Sequence, residues 1–142
     1  MKTIINQYEI LGKAVSVNSV AHARGYRQAS QRVTINPWKE SIIIQMKAQG
    51  CQPCTSEWLL GIATIHMPHN NRADADNYIK YLQDGVAEAL QIDDGRFASF
   101  WVFLKKKSDG ATEYKTELSV LEFREKITAP DPKAVAKLFK VR

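Results

Sequence analysis

The apolar residues change their spacing several times along the chain, and each change marks an element. Residues 3–11 read as a first strand, and residues 18–35, polar and basic, read as a loop. Asn36-Pro37 is a helix start, with Asn capping free N–H groups and Pro fitting the first helical position. Trp38, Ile42, Ile43 and Met46 form that helix's apolar side, and Gly50 stops it. Residues 51–56 form a turn. Trp58 to Met67 is a mostly apolar run, read as a buried strand ended by Pro68. A polar connection, 69–73, leads to a helix over 76–90 with Ile79, Leu82, Val86 and Leu90 at helical spacing. Gly85 inside that helix costs about 1 kcal/mol relative to Ala. Asp93-Asp94-Gly95 is a turn. Residues 100–104 and 114–123 read as two strands of a hairpin joined through Ser108-Asp109-Gly110. Pro130 and Pro132 mark a boundary before a short basic helix over 132–141. Its stripe of Val135, Leu138 and Phe139 suits docking onto the domain or a dimer, with a DNA-contacting tail as the alternative.

This order (β, α, β, α, β, β, then a small α) predicts an α+β fold with a mixed sheet flanked by helices. It is not the strict alternation of a doubly wound α/β fold. A chain of 142 residues predicts a single domain. At that size folding buries about 68–70% of the unfolded surface, enough for a core without disulfides or structural metal. The expected division is a domain over 1–128 and a helical tail over 129–142.

Formal net charge is +5 and the pI is about 9.2, a balance that suits a polyanionic partner such as nucleic acid. The cations are scattered: Arg24, Arg27 and Arg32 early, Lys105 to Lys107 in the middle, Lys133, Lys137, Lys140 and Arg142 at the end. No block of them reads as a disordered arm. No apolar run is long enough to span a membrane, and the first residues lack a signal-peptide core, so a cytoplasmic setting is expected. There Cys51 and Cys54 are free thiols or ligands rather than a disulfide.

The candidate chemistry lies in two acidic clusters. Asp74 and Asp76 stand just before and at the start of a helix, beside Asn77, and Asp93-Asp94 follows that helix. One Asp at a helix start needs no more than a capping role. Two, with a second pair beyond, suggest carboxylates for a hard cation such as Mg²⁺, which neutralises phosphate charge and activates water. About 14 helical residues span roughly 21 Å, so the clusters meet only if the later chain brings Asp94 back to Asp74. Lys80, four residues after Asp76, either stabilises developing negative charge or makes an ordinary surface ion pair with Asp76. An EF-hand is excluded: counted from Asp74, Ile79 and Gly85 occupy the positions that require Gly and Glu. Cys51-x-x-Cys54 before His66-x-x-His69 is a weaker, zinc-like set. His69 and Arg72, close to Asp74 in sequence, are candidate phosphate contacts or plain loop residues.

The run Asp74-Ala-Asp76-Asn77-Tyr-Ile-Lys80, an apolar helix ending Glu-Ala-Leu, and then Asp93-Asp94 resembles the RusA family of Holliday-junction resolvases. The likeness is concentrated in residues 74–94 and extends by element order over roughly 1–125. It implies a homodimeric, Mg²⁺-dependent endonuclease, with Mn²⁺ as a substitute, that cuts branched DNA by paired symmetric nicks. Carried over by position, Asp74, Asp76 and Asp94 would hold metal. Lys80 would be the catalytic lysine and Asp93 an accessory acid. A two-fold dimer matches a two-fold four-way junction.

Overall fold

The computed structural model describes residues 3–17, 35–125 and 128–138. Four strands, β1 (Ile4–Leu11), β2 (Trp58–His66), β3 (Phe97–Lys105) and β4 (Lys115–Phe123), make one mixed sheet in the order β1-β4-β2-β3. β4 runs antiparallel to β1 and β2, while β2 and β3 are parallel. Among the described residues three helices accompany it: α1 (Asn36–Ala48), α2 (Ile79–Ala89) and the short α3 (Pro132–Leu138). The result is a small single-domain α+β structure, as the element order implied.

The strands alternate in burial, as a sheet covered on one face requires. Ile10, Leu59, Ala63, Ile65, Leu118 and Val120 point to the helices and are buried among Trp38, Ile42 and Met46 of α1 and Leu82 and Val86 of α2. Two glycines set the spacing of these layers. A Cβ on Gly61 would land on the Phe100 ring across the β2–β3 pair. A Cβ on Gly85 would lie 2.8 Å from Ile42 Cδ1, so this glycine lets α2 close onto α1. The cost of a helical glycine is thus exchanged for close packing. The opposite sheet face carries half-buried Leu60, Ile62 and Thr64 and more exposed Trp101 and Phe103.

The two sheet edges differ. On β1, Gln45 accepts from the Leu11 N–H (2.7 Å) and donates to the Leu11 carbonyl (2.9 Å). Gln49 does the same at Glu9, at 2.9 and 2.7 Å. Two side-chain amides, from α1 and the residue that ends it, therefore stand in for a neighbouring strand and occupy β1's outer edge. An unsealed edge invites pairing with another chain. In the Gln45→Ala/Gln49→Ala protein, the Glu9 and Leu11 amides should exchange faster by NMR, with a stability loss on the order of 2 kcal/mol. Unchanged exchange at both amides would show that the glutamines do not seal the edge.

Several sequence expectations need correction. β3 and β4 are not a hairpin, because β2 lies between them. The expected turn exists, with Gly110 at φ +96°, but the connection crosses the end of β2. It bonds there to the loop after β2: the Lys107 N–H donates to the His69 carbonyl and the Ser108 N–H to Asn70 Oδ1. β3 instead joins β2 through α2, the crossover that parallel neighbours need. It also begins at Phe97 rather than residue 100. Asn36 is not a cap, because Ile35 already has helical backbone and no side chain caps α1. The helix expected over 76–90 is a 3-10 turn, Ala75–Tyr78, followed by α2. α3 buries none of its residues, and Leu138 is 82% exposed. The segment read as a basic loop, with Arg24, Arg27 and Arg32, and the terminal Phe139, Lys140 and Arg142, lie outside the described residues. No helix among the described residues is long and apolar enough to cross a membrane.

Candidate active site

The chain leaves β2 at His66, turns at Pro68 and reaches Asp74 through a polar connection. Asp74 is extended (φ −107°, ψ 128°) and precedes the 3-10 turn. Its carboxylate makes no capping hydrogen bond; the turn is closed by backbone, with the Asn77 N–H donating to the Asp74 carbonyl at 3.1 Å. The capping explanation for Asp74 therefore fails, and its exposed carboxylate is not committed to the helix end. The Asn77 carbonyl accepts from the Val17 N–H at 2.9 Å, which pins the segment after β1 to this turn. A hydrogen bond between Tyr78 and Ser16 adds to that tie, and burial raises the Tyr78 phenol above its ordinary pKa.

These ties build a cleft. Ser16, Arg72, Asp74, Asn77 and Tyr78 line a hollow of about 330 Å³. Sharing Ser16, Arg72 and Tyr78 with it is a larger hollow of about 490 Å³ that adds Lys13, His69 and Asn71. Lys13 Nζ sits 5.5 Å from the centre of the Tyr114 ring, and the His69 ring lies 6.0 Å from the same ring. Asp74 thus lines a hollow that it shares with Arg72, and Lys13 stands in the adjoining one. Lys13, Ser16 and Tyr78 were not singled out in the sequence. Lys13 and Ser16 come from the distant β1 exit, where no local pattern marks them, and Tyr78 from the turn after Asp74 itself.

The second cluster lies beyond the C-terminal end of α2. Asp93 caps the 3-10 turn Asp94–Arg96, with Oδ1 accepting from the Gly95 N–H at 3.1 Å. That N–H, and then a hydrogen bond from Asp94, hold the Asp93 carboxyl below its usual pKa. The same hydrogen bond to Asp93, with Asp84 nearby, raises Asp94. The Asp94 carbonyl also accepts from Gln83 at 3.2 Å. Asp93 and Asp94 are therefore docked at the middle of α2. Lys80 Nζ is 4.0 Å from Asp84 Oδ2, so its partner is Asp84 rather than Asp76. Both ends of this pair reach solvent, where such contacts contribute little. Asp84 was missed in the sequence, although its i,i+4 spacing from Lys80 was a usable signal.

Asp76, Lys80 and Asp84 follow one another at successive turns, about 6 Å apart along the axis. Asp76 and Asp84 are then on the order of 12 Å apart, and Asp94 sits beside the latter. Carboxylate oxygens are the right donors for Mg²⁺. Among the described residues, however, no three or more His, Cys, Asp or Glu side chains gather to hold one ion. The described residues thus carry two separate acidic pairs, Asp74 with Asp76 and Asp93 with Asp94.

The zinc-like set does not assemble. Cys51 and Cys54 precede β2 and His66 ends it, so a nine-residue strand of about 30 Å separates the thiols from the histidines. Cys54 Sγ donates to Glu122 Oε1 at 2.8 Å, and Cys51 Sγ to the Ala89 carbonyl at 3.5 Å. His66 Nε2 meets Glu117 Oε1 at 2.6 Å. Burial pushes both thiols above the ordinary cysteine pKa. The thiolate is the reactive form. Both cysteines should therefore react with iodoacetamide at pH 8 more slowly than in the urea-unfolded chain. Equal rates would show that the thiols are not held in this buried setting.

No family model matches the chain, and no curated protein matches it. Among solved structures the chain is similar, at 12% identity and a TM-score of 0.36, to the bifunctional IspDF from Campylobacter jejuni. The match covers 86% of this chain and 42% of that one.

Proposed function

We propose that this protein is a Mg²⁺-dependent endonuclease acting on branched DNA, working as a homodimer that resolves four-way junctions by paired nicks in the bacterial or phage-infected cytoplasm. The observation that carries the reading is Asp74. Its carboxylate is exposed, is not used as a helix cap, and opens on a cleft shared with Arg72. A negative side chain at a phosphate-binding surface repels DNA unless it holds a cation. Asp76 stands beside it, and Asp93 and Asp94 supply the second acidic group. Mg²⁺ would neutralise phosphate charge and activate water, with Mn²⁺ as a substitute. Lys80 is assigned to stabilising negative charge, and Lys13, His69 and Arg72 to gripping the phosphate backbone. The separation of the acidic pairs and the turn of Lys80 toward Asp84 favour a second reading, a binding protein with this fold and no catalysis.

A synthetic four-way junction incubated with the protein in Mg²⁺, Mn²⁺ or EDTA decides between them. Symmetric paired nicks that vanish in EDTA are expected. Junction binding without cleavage in either metal would leave the second reading. Equal cutting of linear duplex would remove branched DNA as the substrate.

A further inference from the structure

The larger hollow near Asp74, about 490 Å³, is within the range of roughly 300–1,000 Å³ typical of small-molecule sites. Two segments far apart in sequence wall it: residues 13–16, which follow β1, and residues 69–73, which follow β2. Both are anchored. The Gly12 N–H donates to the Tyr114 carbonyl at 3.1 Å and the Val17 N–H to the Asn77 carbonyl at 2.9 Å, so the first wall is tied at each end. In the second, the Asn71 N–H donates to His69 Nδ1 at 3.3 Å, and residues 69 and 70 are bonded to Lys107 and Ser108. A hollow set in advance loses less freedom when a ligand enters. Its lining is divided by chemistry. Val15, Ala73 and Tyr78 are half-buried against the core and supply apolar surface. Asn71 is exposed and carries an amide that both donates and accepts. Lys13 and Arg72 are exposed cations, and among the described residues neither is paired with a carboxylate.

Apolar surface for a flat ring, an amide for its polar edge and two uncommitted cations match the parts of one nucleotide. A base inside a duplex cannot offer its face, because its neighbours in the stack cover both sides. It enters a pocket only after leaving its pair. We propose that the hollow takes a single nucleotide lifted out of the DNA stack, with its base on Val15, Ala73 and Tyr78 and its phosphate at Lys13 and Arg72. Arg72 and Tyr78 line the smaller hollow with Asp74 as well, so the captured nucleotide stands next to that carboxylate. Lifting a base out costs least where pairing or stacking is already interrupted. The hollow therefore favours DNA at a bulge or a branch point over continuous duplex. That the nucleotide belongs to DNA rests on the nuclease reading above.

Binding of the full chain in EDTA tests this apart from cleavage. Three labelled DNAs differ at one position: a paired duplex, the same duplex with a one-nucleotide bulge, and that bulge made abasic. The abasic bulge keeps every phosphate and lacks only the base. By fluorescence anisotropy the bulge should bind about tenfold tighter than either of the others, the contribution of one captured base. Val15→Trp, which fills the hollow, should bind the bulge and the abasic bulge alike with a native circular dichroism spectrum. Asn71→Ala, at an exposed position, should lower the preference for the bulge by about threefold. If Val15→Trp fails to fold, the abasic comparison and Asn71→Ala still decide. A 5-iodouracil at the bulge should photocrosslink within residues 69–78, where His69 and Tyr78 line the hollow. Equal binding of the three DNAs, or a crosslink that maps outside residues 13–16 and 69–78, would overturn the proposal. Free thymidine monophosphate should compete only weakly. Its tight binding without any preference for the bulge would make this a site for free nucleotides and overturn the assignment to DNA. Junction cleavage in Mg²⁺ with no preference for the bulge sinks the hollow and keeps the nuclease. A preference for the bulge without cleavage does the reverse.

Discussion

Junction cleavage by the Asp76→Asn protein should fall roughly a thousandfold or more, the several kcal/mol that a metal-held phosphate contributes to the transition state. The substitution is nearly isosteric, and Asp76 is exposed in the first turn ahead of α2, so stability should change by no more than about 0.5 kcal/mol. Binding is expected to move the other way. On the proposed reading, removing a negative charge from the surface that meets phosphates lowers repulsion, so junction affinity in EDTA should hold or rise. A nuclease predicts this split, cleavage lost with binding kept. A binding protein predicts tighter binding and nothing else to lose. A gel-shift titration in EDTA beside a nicking assay in Mg²⁺ reads both quantities. Cleavage that persists at the wild-type rate would remove Asp76 from the site. Lys80→Ala provides a scale, because its contact with Asp84 at 4.0 Å in solvent contributes little to the fold. Any large loss of rate there belongs to chemistry.

The elements were legible because their periods differ. β2 and α2 each carry a run long enough to fix their type, and their ends fall within a residue or two of Pro68 and Leu90. The pairing of strands was not legible. Local sequence around Ser108-Asp109-Gly110 gives the turn of a hairpin, and that turn is present. Whether the strands beside it touch depends on whether another strand inserts between them, and β2 is set by contacts far away in sequence. The candidate site was legible in part for the same reason. Asp74, Asp76, Lys80, Asp93 and Asp94 lie on one short stretch, so spacing could bring them forward together. What spacing could not supply was the third dimension. Asp84 and Gln83 hold the turn at Asp94, while Lys13 and Ser16 arrive from the β1 exit. Gly85 looked like a flaw in a helix until its neighbour across the layer was known.

That neighbour makes a prediction of its own. Ile42 is fully buried on α1 and lies over Gly85, with Cδ1 at 2.8 Å and Cβ at 3.3 Å from where an alanine Cβ would be. Ile42→Ala should cost roughly 2–5 kcal/mol. Against a typical total of about 5–15 kcal/mol, that is a large share. Gly85→Ala alone has opposing parts: helix propensity favours it by about 1 kcal/mol, and overpacking against Ile42 opposes it by about 1–3 kcal/mol. The sum is neutral to destabilising. In the Ile42→Ala background the Cδ1 and Cγ2 contacts are gone, so the same change should stabilise by about 1 kcal/mol. The two substitutions should therefore couple by about 1–3 kcal/mol in a double-mutant cycle from urea unfolding. Additive values would mean that α1 and α2 do not meet at this point. Coupling of the expected sign would fix the helix layer against which β2 and β3 are set, and with it the position of the turn that carries Asp93 and Asp94.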